Sequence, residues 1–127
     1  MSYTQKNLRE VEDSAPRFGV SETQEAHFAH GDLSAENTGL SYHVMRAGRR
    51  QAFGHRHEAA EEVYVVLSGN GRMKLDDEII EIGPMDAIRV APQVARSFEA
   101  GSEDLEVLAF GPRHAGDGEV LPDFWKD

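Results

Sequence analysis

Between positions 40 and 110 the chain is a succession of short apolar runs, each closed by turn-forming residues. The runs cover 40–47, 51–55, 62–67, 72–75, 78–82, 87–90, 96–100 and 105–110. The gaps hold Gly48-Arg49-Arg50, Ser68-Gly69-Asn70-Gly71, Asp76-Asp77, Gly83-Pro84, Ala91-Pro92 and Gly101-Ser102-Glu103-Asp104. Residues of this kind reverse a chain rather than extend it. No helix longer than a turn or two is needed. Short strands at this spacing predict an all-β sandwich or barrel. A barrel of about eight strands leaves room for its own side chains and one small ligand. Its inward positions therefore either fill a core or line a pocket.

One run carries chemistry. His55 and His57 are separated by one residue, and Glu62 follows after four more. Read as a strand, 51–57 sends alternate side chains to one face, so both imidazoles point the same way. Glu62 opens the next apolar run. If the two runs pair in a sheet, three metal-type ligands converge. Two His and one carboxylate suit a first-row divalent ion with positions left open for substrate. The competing reading is of histidines that sit on a surface or hydrogen-bond within a core.

The stretch from Gly54 to Leu75, GHRHEAAEEVYVVLSGNGRMKL, resembles the first motif of the cupins: Gly, a spacer, His-x-His, a short gap, Glu, six residues, Gly. His55, His57, Glu62 and Gly69 match it. Gly48 leads His55 by six residues, one more than usual. Gly83-Pro84-Met85-Asp86, a short strand, the Pro92 loop and the strand from Arg96 are similar to the second motif, in degenerate form. Arg96 stands where the family places its fourth ligand, a His. Gln93 and Ala100 stand near the family's Gly and Asn. The resemblance spans roughly 40–111 and implies a small single-domain barrel of the cupin 2 type, a double-stranded β-helix or jelly roll. It also implies a mononuclear iron, manganese, nickel or zinc ion on His55, His57 and Glu62, and a small organic ligand. Dioxygenases, isomerases and decarboxylases all occur among cupins, so the fold does not choose the reaction.

Arg96 has three readings. It is a surface residue outside the motif, or it pairs with Glu62 in a metal-free barrel, or it stands beside a three-ligand metal and anchors an anionic substrate. Gln51, four residues before His55, falls on the same strand face and is a candidate ligand contact, with a polar rim position as the simpler reading. Phe53, Tyr64 and Phe98 are expected to line the cavity and exclude water. His27, His30 and His43 lack ligand spacing and read as structural or exposed. His114 and Asp117 lie in a glycine-rich tail read as a solvated loop, and Asp76-Asp77-Glu78 reads as a solvated hairpin tip.

The remaining features bound the answer. A chain of 127 residues suits one domain with a modest core. Residues 1–39 read as an N-terminal extension with short strands at 18–20 and 25–30, 40–111 as the barrel, and 112–127 as a tail that packs back through Phe124 and Trp125. A formal net charge of −10 opposes nucleic acid and anionic membranes. With no cysteine there is no disulfide or thiolate chemistry. No apolar run is long enough to span a bilayer, and no signal-peptide core is present. The expected setting is cytoplasmic, and the expected assembly is a homodimer that covers open sheet edges. The rival function is a metal-free, non-catalytic binding or sensory module.

Overall fold

The computed structural model describes residues 2–126. Its strands are β1 (Gln24–Phe28), β2 (Thr38–Met45), β3 (Phe53–His57), β4 (Glu62–Ser68), β5 (Gly71–Leu75), β6 (Glu78–Ile82), β7 (Ala87–Val90), β8 (Arg96–Ala100), β9 (Leu105–Pro112) and β10 (Gly118–Pro122). They form two five-stranded antiparallel sheets, ordered β1-β2-β9-β4-β7 and β10-β3-β8-β5-β6. This is the jelly-roll barrel that the resemblance implies, within the sandwich-or-barrel class that the strand spacing predicts. Among the described residues no helix is long and apolar enough to cross a membrane.

Period-two alternation builds the interior. In β4, Tyr64 and Val66 are buried, whereas Leu67 is exposed. They pack with Met73 of β5, Phe98 of β8 and Leu105 and Val107 of β9 into one apolar cluster between the sheets. Burying each such side chain contributes about 1.5–3 kcal/mol before entropy is counted. Strand β8 departs from alternation because Ser97, on its outer face, is also buried. Trp125 covers it, and the indole Nε1 donates to Ser97 Oγ at 3.0 Å.

Two glycines are required by space. Gly69 has φ +82°, and a Cβ there would lie 2.2 Å from the Asp104 carbonyl oxygen. The motif glycine thus lets the β4–β5 turn pass close beneath the start of β9. A Cβ on Gly54 would lie 2.6 Å from the Phe124 ring, so the tail seats directly on β3.

The structure corrects several expectations. Residues 18–20 are not a strand. Ala15–Phe18 is a 3-10 turn begun by Pro16 and ended by Gly19 at φ +69°. The tail is not only a loop. Residues Gly118–Pro122 add a strand to the edge of β3, with Gly118 opposite His57 and Val120 opposite His55. Asp76 is exposed yet not merely solvated, since its Oδ1 accepts from the Ala95 amide at 2.9 Å and so ties the β5–β6 turn to the entry of β8.

Candidate metal centre

His55 and His57 lie on the inner face of β3, and Glu62 opens β4. The two strands do not pair. They belong to opposite sheets, and the 58–61 connection carries the chain across the sandwich. The three side chains therefore meet across the interior rather than along one sheet. One ligand atom from each lies within 4.8 Å of the other two. The imidazole planes stand at 88° with centroids 5.1 Å apart, so the rings approach the shared space from different directions.

Glu62 Oε1 is the hub. His55 Nε2 lies 3.3 Å from it and His57 Nε2 3.2 Å. The Tyr64 hydroxyl donates to it at 2.5 Å. Arg96 Nη1 is 3.7 Å away. Burial alone would raise the Glu62 carboxyl pKa, but the close imidazoles of His55 and His57 and the Tyr64 hydroxyl outweigh it and hold the group well below the usual carboxylate range. Tyr64 shifts the opposite way, because burial and the Glu62 charge both disfavour its phenolate. The phenol thus remains a donor and the carboxylate an acceptor.

Arg96 is 0% exposed, which excludes the surface reading. It faces His55 directly in the β3–β8 register. Its Nη2 donates to the Ala91 carbonyl at 2.9 Å, while Nε and Nη1 are buried with no hydrogen-bond partner. Buried donors left unpaired are rare and call for a partner. Both ring nitrogens of His57 are likewise buried, and neither makes a well-aligned hydrogen bond, their nearest acceptors being the Glu62 and Asp117 carboxylates. Asp117 Oδ2 approaches His57 Nδ1 to 3.4 Å from behind. Asp117 also accepts from the amides of Glu58, Ala59 and Ala60, which fixes the turn between the two ligand strands. Its side chain is nearly buried rather than a solvated loop residue. Backing of a ligating imidazole by a carboxylate sets the tautomer and ring orientation.

The other expected contacts fall in different places. Tyr64 touches the site through its hydroxyl, and its ring packs edge-on against Phe98 at 5.2 Å, so Phe98 supports the wall from behind. Phe53 begins β3, opposite Pro122 of β10. The side-chain oxygen of Gln51, Oε1, accepts from the Phe98 amide at 3.0 Å and from Ser97 Oγ at 3.3 Å, so it joins β8 to the segment before β3. A cavity of about 180 Å³ reaches His57 and Glu62, and Ser41, Arg113 and His114 stand along its walls. Neither Ser41 nor Arg113 has a ligand-like spacing that sequence reading detects.

Residues 41–111 match the family model described as the cupin domain. The chain belongs to the cupin family. A curated relative, the uncharacterized protein MJ1618 of Methanocaldococcus jannaschii, is 34% identical over 70 residues, covering 53% of this chain and 56% of the relative. The chain thus spans little more than half the length of that relative. Among solved structures, a cupin protein from Bacteroides fragilis superposes with a TM-score of 0.70 at 25% identity, covering 91% of this cupin and 87% of the other chain. A point mutant of the oxalate decarboxylase OxdC of Bacillus subtilis superposes with a TM-score of 0.76 at 18% identity, covering 91% of this cupin but 31% of that chain. The second likeness is one of fold.

Within that fold, the donor set fits a divalent metal. His55, His57 and Glu62 offer two imidazole nitrogens and a carboxylate oxygen in a compact group, and the His57 nitrogens have no other hydrogen-bond use. The set names no particular ion.

Proposed function

We propose that this cupin binds one divalent metal ion on His55, His57 and Glu62 and a small anionic organic ligand beside it. The observation that carries this reading is the compact group of three donors within 4.8 Å, brought together from opposite sheets. Such an ion supplies Lewis-acid polarisation of a bound oxygen or a site for O₂. Metal-dependent dioxygenase or isomerase chemistry is the enzymatic form of the reading. The protein's own part is clearer. Tyr64 keeps Glu62 ionised and oriented, and Asp117 holds His57 from the rear. Arg96 offers two unspent donors to an anion, and the aromatic wall of Tyr64 and Phe98 excludes water.

A second reading is favoured by the 3.7 Å approach of Arg96 to Glu62. Two opposite charges at about 4 Å attract by roughly 4 kcal/mol at an effective dielectric constant near 20. Arg96 would then supply the positive charge itself, and the barrel would be a metal-free binding or sensory module. Elemental analysis of protein purified without an affinity tag separates the two. Near-stoichiometric iron, manganese, nickel or zinc supports the metal site. Its absence after reconstitution overturns it in favour of the second reading.

We also infer a cytoplasmic homodimer, joined through the outer strands of the sheets, which leave backbone groups unpaired. Light scattering at micromolar concentration is expected to give twice the chain mass, and a monomer would contradict it.

A further inference from the structure

Arg113 follows the end of β9, which pairs there with the start of β2, Pro112 opposite Thr38. Its backbone N–H donates to the Asn37 carbonyl at 3.0 Å, which pins the residue beside that strand. Two residues earlier, Gly111 passes close to the start of β4. A Cβ there would lie 2.3 Å from the Glu61 carbonyl oxygen and 3.5 Å from Glu62 Cα. Two residues of extended chain span roughly 7 Å, about the length of a short organic acid. The step from the Glu62 backbone to Arg113 is thus one that such an acid can bridge.

Arg113, His57 and Glu62 line the same cavity of about 180 Å³, and Arg96 is not among its walls. Glu62 is the one carboxylate there among the described residues, and its Oε1 already faces His55, His57 and Tyr64. The Arg113 charge is uncommitted. Every other described arginine, save Arg49 in the 48–50 turn, has a carboxylate within 3.7 Å. A chain of net charge −10 thus leaves a guanidinium without an acid partner at this cavity. Phe28 and Leu40 give the walls apolar surface for an aliphatic body. The volume lies below the roughly 300 Å³ at which drug-sized sites begin, so the occupant is small.

We propose that Arg113 is the specificity-determining cation of this cavity, and that it holds the carboxylate of a short-chain organic acid whose other end meets His57 and Glu62. This rests on the anionic-ligand reading above and narrows it to one class with a named anchor. A guanidinium grips a carboxylate through two parallel N–H donors, and a neutral amide of the same shape offers no such match. A cation at the rim also draws anions in against the negative field of the chain.

Butyrate and butyramide share a shape and differ in charge. Each is titrated into ¹⁵N-labelled protein incubated with Zn(II), a diamagnetic ion that keeps the resonances sharp. Butyrate is expected to shift the amides of Leu40, Gly111 and Arg113 saturably and to bind more tightly than butyramide. Arg113→Gln is expected to weaken butyrate roughly fivefold and to leave butyramide unchanged. Arg113→Lys should recover part of the loss, since it restores the charge without the fork. Arg113 is exposed, so neither substitution disturbs the core. Added NaCl should weaken butyrate more in the parent than in Arg113→Gln. Equal butyrate affinity in the parent and Arg113→Gln overturns the proposal and leaves the anionic-ligand reading standing. Equal loss of acid and amide, or shifts centred away from the cavity, overturns it in the same way. If the parent binds no butyrate, the anionic-ligand reading fails and the proposal falls with it.

Discussion

Arg96 of β8 stands directly opposite His55 of β3, so a permanent cation faces a metal-type ring across one strand spacing. The sequence resemblance assigns position 96 to a further imidazole in cupins, and a guanidinium does not take that role. Substitution Arg96→His is expected to complete a four-ligand set and tighten metal binding at least tenfold. Calorimetric titration with Ni(II) or Mn(II) checks this. Unchanged affinity would mean that the side chain at 96 does not reach the ion.

His57→Ala is expected to abolish metal uptake and leave the fold intact. The residue is on the inner face but outside the main apolar cluster, so its loss leaves the packed core in place. Metal content measured beside far-UV circular dichroism separates the two effects. Equal uptake in the variant excludes His57 as a ligand.

The Tyr64 hydroxyl is the shortest of the contacts to Glu62 Oε1 described above. Tyr64→Phe removes a buried hydrogen bond to a charged acceptor, worth about 1.5–3 kcal/mol. Urea unfolding of metal-free protein should show a loss of that size. Loss of a group that orients a metal ligand also costs about 10–100-fold in metal affinity. A variant as stable as the parent would mean that the phenol is not engaged in solution.

Glu62 gives the metal-free protein a defined acid response. Its folded pKa lies below the unfolded value, so ionisation contributes stability that is complete above roughly pH 4.5. That contribution falls as the pH drops below this point towards the folded pKa. Glu62→Gln removes the titrating group. Thermal melts between pH 7 and pH 3 should show a steeper loss in the parent than in the variant. Parallel curves would show that Glu62 has an ordinary pKa.

How much of this was readable from the chain depends on the distance over which each relationship acts. His55, His57 and Glu62 could be found because their relationship is local: period two sets the imidazole face, and a short connection delivers the carboxylate. Their meeting across two sheets was not readable, since spacing alone does not say whether neighbouring strands pair or face each other. Arg96 could be placed near the site by its position after the Pro92 loop, but its burial and unspent donors needed coordinates. Strand β10 was hidden because Gly118 and Pro122 bound it and most of its side chains are exposed, the signature of a loop as much as of an edge strand. Arg113 was hidden for a related reason. Its place at the cavity comes from the pairing of β9 with β2, and nothing adjacent in sequence marks it.

The docking of β10 along β3 has a consequence for integrity as well as for geometry. Without it, the backbone bearing both imidazoles would become the free border of its sheet, with amides and carbonyls available to template a foreign strand. Peeling away 118–122 would therefore do two kinds of damage at once, disordering the two imidazoles and creating an adhesive seam. Loosening of the two imidazole rings and onset of aggregation should accordingly appear together.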